Sequence, residues 1–228
     1  MNTLRLFRGL AVPAARRDEV IEKITVSGFV GGEGHWNILH QHPGDIDALF
    51  ERDDLTSTIT RASEATLPKV VCACGDLDGA TYYACSHNRT AKDDTPIIVE
   101  FDAPLSNIAI DGRDFMYTVF QFGQLEVSRE ALLRSFGPRI LRYADKAQAT
   151  GDQSKRIALC DLAINDPAVI EAHHGNQVVI AGRHHTVFKS AFTVVCPVGP
   201  DRISSITSPS ERFVTPQAEI SLNDLTRR

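Results

Sequence analysis

The sequence predicts an α+β domain: strands and helices occur along the whole chain, they follow no regular β-α-β alternation, and there is no internal repeat. Its 228 residues, 43% apolar and 23% charged, are enough to bury one large core, which excludes a disordered chain, a collagen and a coiled coil. The net charge of -5 supplies no global basic field, so any nucleic-acid contact would need a local basic patch.

Thr3 to Arg8 alternates polar and apolar residues, with Leu4 and Leu6 on one face, and reads as a short strand closing at Gly9. Pro13 to Ile24 reads as a helix carrying Val20, Ile21 and Ile24 on one side. A glycine-rich loop follows from Gly28 to Gly34 and leads to His35, Trp36, His40 and His42. Asp45 to Phe50 is a short helix punctuated by Pro43-Gly44. Lys69 to Cys74 is a strand that stops at Gly75-Asp76, and Asp76 is placed to cap a helix containing Ala80, Tyr83 and Ala84. Pro96 to Asp102 is a strand ended by Ala103-Pro104, and Asn107 to Ile110 runs into the turn Asp111-Gly112. Phe115 to Phe122 is too uniformly apolar to be assigned by periodicity.

Ser128 opens a helix that presents Leu132, Leu133 and Phe136, and Gly137-Pro138 breaks it before a second piece through Ala144. Ala147 to Ser154 is the most linker-like stretch. Helices over Ile157 to Ile164 and Pro167 to His173 precede three strands, Gln177 to Ala181, Thr186 to Cys196 and Arg202 to Ile206. The expected organisation is a single domain over residues 1–207 with a polar, ragged tail over 208–228.

Arg5 and Arg8 interrupt the first apolar stretch, so no signal-peptide core is expected, and no run reaches the roughly 20 apolar residues that span a bilayer. Cysteines stand at 72, 74, 85, 160 and 196, an odd number, four of them inside predicted strands or helices. That usage points to reduced thiols and a cytoplasmic protein with no membrane partner. Cys72 and Cys74 share one face of a strand, a spacing that does not suit structural zinc, and adjacent histidines such as His173-His174 and His184-His185 would diverge on a strand. No metal is expected. No Walker loop, G-x-G-x-x-G, nucleophile elbow or H-E-x-x-H occurs.

Four features stand above this background. They are Arg8-Gly9 at a strand end, the strand to Cys74 running into a helix with Tyr82-Tyr83-Ala84, the strand Pro96 to Asp102 holding Glu100, and Lys189-Ser190-Ala191 with the strand and Pro197-to-Ile203 turn that follow. Singly each is ordinary: an exposed arginine, core packing, an edge charge, a strand-turn-strand. In this order they resemble the mono-ADP-ribosyltransferase family of the R-S-E type found in bacterial toxins and phage enzymes. That family shows an Arg-Gly ending the first core strand, a Ser-x-Ser strand running into a helix that ends in aromatic-Ala, a strand of the form Pro-apolar-apolar-x-Glu-Phe-x-x-Pro, and a late Glu/Gln-x-Glu before an apolar strand.

The resemblance implies an ADP-ribosyltransferase-like core of two packed, mainly antiparallel sheets with flanking helices. It implies transfer of ADP-ribose from NAD, the substrate in place of a cofactor, to a macromolecular acceptor, protein or nucleic acid, with nicotinamide released and, for a toxin, a neutralising antitoxin as partner. Arg8 inherits the role of anchoring the diphosphate and ribose, as a planar, always-charged fork suits. Gly9 would hold the nicotinamide amide through its backbone, Cys72 and Cys74 stand where the two serines stand, and Tyr82 or Tyr83 would pack by the nicotinamide end.

Departure of nicotinamide leaves an oxocarbenium-like ribose that a carboxylate must stabilise. The family uses the last glutamate; this chain has Ala191 there, and Lys189 at the position that otherwise selects an arginine acceptor. Three explanations fit: an introduced Glu-to-Ala change disabling the enzyme, a natural NAD-binding module that does not turn over, or a carboxylate from elsewhere, with Glu100, Glu126 and Glu171 as candidates. The intact flanking pattern favours the first. Gln124-x-Glu126 matches Gln-x-Glu literally but precedes the expected strands. An NAD glycohydrolase, with water as acceptor, is the further enzymatic alternative.

Overall fold

In the computed structural model of the chain, the residues described are 2–31, 45–61, 68–111, 113–123, 125–182, 186–210 and 213–226. Strand β1 (Thr3–Pro13) is followed by α1 (Arg17–Ser27), α2 (Ile46–Glu51), α3 (Ser57–Arg61) and β2 (Val70–Cys74). Helix α4 (Leu77–Tyr82) continues into a π-helical turn over Tyr83–His87, and β3 (Asp94–Pro104) and β4 (Ile108–Ile110) follow. Five helices come next: α5 (Arg113–Phe122), α6 (Leu125–Phe136), α7 (Ile140–Gln148), α8 (Gln153–Asn165) and α9 (Pro167–His174). The chain then forms β5 (Ile180–Ala181), β6 (Val187–Phe188), β7 (Ala191–Val195), β8 (Ile203–Thr207), β9 (Ile220–Ser221) and α10 (Leu222–Leu225). The architecture is α+β. No helix of the described residues is long and apolar enough to cross a membrane.

Six strands form an antiparallel sheet in the order β4-β7-β2-β1-β3-β8, and β6-β5-β9 form a small second sheet. β1 pairs with β3 along its whole length, from Thr3↔Pro104 to Pro13↔Asp94, yet it meets β2 at a single bridge, Phe7↔Cys74. The large sheet is therefore two three-stranded halves hinged on one residue pair. Alternation along the strands puts Leu6, Val99, Phe101, Val71, Ala73, Phe192 and Val194 on one face, where they join the main core. Phe7, Cys74 and Ile98 take the other face and pack with Ala80 and Ala84 of the α4 turn and Tyr83.

Gly9 lies inside β1 and does not end it. A Cβ there would come within 2.1 Å of the Ala80 carbonyl oxygen and 2.8 Å of the Ala84 nitrogen, so the bare backbone lets α4 lie directly on the strand. Gly9→Ala is expected to cost about 1–3 kcal/mol by overpacking. Urea denaturation of the variant checks this; an unchanged midpoint would mean that α4 yields without cost.

Several elements differ from the sequence expectations, each for a tertiary reason. The 147–154 stretch is a tight connection between α7 and α8, since Asp152 accepts from the Ser154 nitrogen at 2.8 Å and Arg156 donates to the carbonyls of Ala147 at 3.0 Å and Thr150 at 2.6 Å. Helix α6 starts before Ser128, which is buried inside it. Lys189-Ser190 splits the expected single strand, sending β6 to the small sheet and β7 to the large one. The polar tail is anchored by Ile220, Leu222 and Leu225, all buried in the main core.

Helix α8 touches α3, α5, α7, α9 and β4, and its residues from Ala158 to Asn165 are buried all round. A helix enclosed on every side needs no polar stripe, which is why its sequence lacks an amphipathic pattern. The apolar stretch that periodicity left unassigned is helix α5, packed on α8 and α7.

Candidate functional site

Beyond the Phe7↔Cys74 bridge, β1 and β2 stop pairing, and the Cys72 carbonyl accepts instead from Arg8 Nη1 at 2.6 Å. The guanidinium also lies 5.9 Å from the centre of the Phe29 ring. Burial pulls the Arg8 pKa below its ordinary value, and the neighbours that act on its charge are the thiols of Cys72, Cys196 and Cys74, with no carboxylate among them. Arginine nevertheless keeps its proton. A charged fork that spends one donor on a carbonyl and faces no carboxylate among the described residues is ready to receive an anion.

The register aligns one residue of every strand in a single row across the sheet. Asp111 donates its backbone N–H to the Ala191 carbonyl at 2.8 Å, extending the ladder Ile108↔Val194, Ala109↔Thr193, Ile110↔Phe192. Ala191 pairs with Cys74, Cys74 with Phe7, Phe7 with Glu100 and Glu100 with Ser205. These six side chains leave the sheet on the same face.

Of the residues singled out by the sequence, Arg8, Gly9, Cys72, Cys74 and Ala191 thus fall on the three adjacent strands β1, β2 and β7. Their side chains do not all converge. Cys72, Cys74 and Ala191 share the Phe7 face, whereas Arg8 leaves β1 on the Leu6 face and reaches the Cys72 backbone through the split. Gly9 lets the α4 backbone approach closely, and its carbonyl accepts from Asn88 Nδ2 at 2.9 Å.

Tyr83 faces the site, where Cys74, Asp111 and Cys72 act on it; burial is the main cause of its raised pKa. Tyr82 instead packs its ring at 5.5 Å from Tyr83 and 6.4 Å from Phe213. Cys72 is exposed on β2 and Cys74 is buried; both thiol pKa values are raised, by loss of hydration first and then by Asp111 at Cys72 and by Asp76 and Asp111 at Cys74. Both sulfurs are therefore thiols.

Asp111 is the residue that sequence reasoning missed as part of this constellation. It read as the first half of an Asp-Gly turn, and nothing local marks it as the neighbour of Ala191. The three glutamates considered as substitutes lie elsewhere. Glu100 shares the row but binds Arg5 Nε at 3.3 Å and accepts from Ser205 at 2.9 Å, while Glu126 and Glu171 are exposed on α6 and α9. Lys189 stands 3.6 Å from Asp78.

His173 is a core residue that supports β7. The Ala191 N–H donates to His173 Nε2 at 3.2 Å, so Nδ1 carries the proton and donates to the Ser135 carbonyl at 2.9 Å. Its ring stacks on Phe136 at 4.6 Å. His174 Nε2 lies 2.8 Å from the Arg5 carbonyl oxygen. His35, Trp36, His40, His42, Gln124, His184 and His185 lie outside the described residues.

Among the described residues, no group of three or more His, Cys, Asp or Glu is placed to hold a metal ion. Two surface depressions, about 630 Å³ beside Cys85, Arg89 and Lys92 and about 210 Å³ between Asp102 and Arg202, include none of Arg8, Cys72, Cys74, Tyr83, Asp111 and Ala191. No protein-family model, curated protein or solved structure matches the chain.

Proposed function

We propose that the chain is an NAD-binding enzyme of the ADP-ribosyltransferase type, transferring ADP-ribose to a macromolecular acceptor with release of nicotinamide. The observation that carries this reading is Arg8. It stands in the split between two half-sheets, bonded to the backbone of the strand that holds Cys72 and Cys74, with no carboxylate neutralising it among the described residues. The ordered motifs of the sequence, distant along the chain, lie on the four adjacent strands β7, β2, β1 and β3. In this reading Arg8 anchors the diphosphate through charge-assisted hydrogen bonds, and Tyr83 offers an aromatic wall beside Cys74, the neighbour of Ala191 in the row.

Ala191 favours a second reading, a module that holds NAD without cleaving it. The two share a first test, calorimetric titration of the chain with NAD. Charge-assisted hydrogen bonds contribute roughly 1.5–3 kcal/mol, so Arg8→Ala should weaken NAD binding on the order of 10- to 100-fold while leaving the melting temperature close to the parent's. Equal affinities would sink the role given to Arg8. Labelled NAD incubated with a cell extract, with the chain as it stands and with its Ala191→Glu variant side by side, then separates transferase from module, since only a transferase, restored in the variant if alanine disables it, leaves label on a macromolecule.

A further inference from the structure

A chain with a net charge of -5 attracts nucleic acid only where local positive charge and ring surface meet. Such a place is the π-helical turn that follows α4. We infer that this turn and the depression beside it dock single-stranded nucleic acid, with bases stacked on the rings and backbone phosphates on Lys92 and Arg89. The inference is independent of NAD binding.

The turn builds the ring cluster. The Asn88 N–H donates to the Tyr83 carbonyl at 2.9 Å, one residue wider than an α-turn, and Asn88 Nδ2 ties the turn to the Gly9 carbonyl at 2.9 Å. His87 thereby stands 4.9 Å from the Tyr83 ring and 6.4 Å from Tyr82, and Phe213 adds a fourth ring 6.4 Å from Tyr82. His87 is exposed, and Tyr82 and Phe213 are half-buried, so the cluster keeps ring surface in solvent.

Charge lies beside the rings. The depression of about 630 Å³, lined by Ser86, Arg89, Thr90 and Lys92 among others, falls within the roughly 300–1,000 Å³ of small-ligand sites, enough for a nucleotide. The Lys92 ammonium and the Ser86 hydroxyl are exposed and take no partner among the described residues. Arg89 Nη2 donates to the Lys92 carbonyl at 2.7 Å, which lays the guanidinium along the same wall. Of the neighbouring acids, Asp94 is buried and accepts from the Thr90 nitrogen, the Thr90 hydroxyl and the Ala91 nitrogen at 2.9, 3.1 and 2.8 Å, so Asp93 alone opposes the two cations at the surface. Cations also meet a ring at Phe50, but there Arg142 covers the ring at 3.7 Å and is held by Asp47 at 2.7 Å, and Lys146 donates to the Phe50 carbonyl. A single strand suits the turn because its bases are free to stack on rings, whereas a duplex hides them and offers only phosphate, which the acidic chain as a whole repels.

The test is fluorescence polarisation of a labelled single strand of about 12 nucleotides, within the roughly 4–16 that such sites cover. It is titrated with the full chain and with His87→Ala, Tyr82→Leu and Lys92→Ala over a range of salt, with melting temperatures as a check on folding. The expected result is a dissociation constant on the order of 10⁻⁶–10⁻⁴ M near physiological salt, weaker binding of the matching duplex, and a loss of about 5- to 150-fold in each ring variant. Lys92→Ala should flatten the slope of log affinity against log salt by about 0.7, the share of one phosphate contact, which a residue that only supported the fold would leave unchanged. His87 is exposed, so its variant keeps the test decisive if Tyr82→Leu fails to fold. No binding at low salt, equal binding of the duplex, or a folded His87→Ala and Lys92→Ala that bind as the parent does each overturn the inference. Polyglutamate bound as tightly overturns it in favour of an acidic protein, and adenosine monophosphate bound as tightly in favour of a free nucleotide.

Discussion

Replacing Asp166 by alanine is expected to remove about 3 kcal/mol of stability, a large share of the roughly 5–15 kcal/mol that holds a domain folded. Asp166 is 1% exposed and serves three groups. It accepts from Arg139 Nε at 2.6 Å, from the Tyr143 hydroxyl at 2.6 Å and, as the cap of α9, from the Ala168 nitrogen at 3.0 Å. Arg139 is partly exposed and keeps Asp47 at 2.6 Å, so its loss is modest and places the cost at the low end for a broken buried pair. The Tyr143 hydroxyl, fully buried, has no such reserve: an orphaned hydroxyl costs about 1–3 kcal/mol and the lost cap about 1 kcal/mol. Urea denaturation measures the sum. Adding Tyr143→Phe to the Asp166→Ala variant should cost less than Tyr143→Phe alone, because the orphan is then removed with its partner. A single variant within 1 kcal/mol of the parent would show that the network carries little of the stability.

The second large effect is acid sensitivity centred on His173. Burial disfavours the imidazolium and brings its pKa down to about 4, against about 6.5 in an unfolded chain. Between these values the unfolded chain binds a proton that the folded one refuses, so stability falls as pH drops. The group contributes no slope above pH 7, about 1.4 kcal/mol per pH unit from roughly 6.5 down to 4, and nothing further below. The loss amounts to about 3 kcal/mol by pH 4. His173→Gln retains a donor and an acceptor but does not titrate; it should be less stable at pH 7 and show a flatter decline between pH 6.5 and 4. A parallel decline in parent and variant would assign the acid transition to other groups. The consequence reaches the site, because the bond that fails on protonation is the one from the Ala191 N–H.

Local chemistry made much of the secondary structure legible. Asp76 caps α4 as its position before an apolar helix demands, Gly137-Pro138 separates α6 from α7, and Pro167 stands at the first turn of α9. The α+β class followed from the same signals. The linker and tail readings failed because polar composition is a poor guide once a few side chains are tied down: Asp152 and Arg156 close the α7–α8 connection, and three apolar residues dock the end of the chain.

The site divides in the same way. Arg8, Cys72, Cys74, Tyr83 and Ala191 could be named from their order along the chain, since each belongs to a segment with its own local signature. Which of two tyrosines faces inward, that Arg8 and Ala191 leave opposite faces of the sheet, and that Asp111 stands across from Ala191 were decided only by pairing between distant strands. A shift of one residue in that pairing would turn Asp111 to the other face, and no local preference of an Asp-Gly turn opposes such a shift. Neighbours within a few positions made most strands and caps legible, but not the helix over Arg113–Phe122, the break between β6 and β7 or the buried end of the chain. The tertiary structure alone decided the single bridge at Phe7 and Cys74, the split that holds Arg8 and the row that ends at Asp111, because register is set by long-range packing of both faces at once.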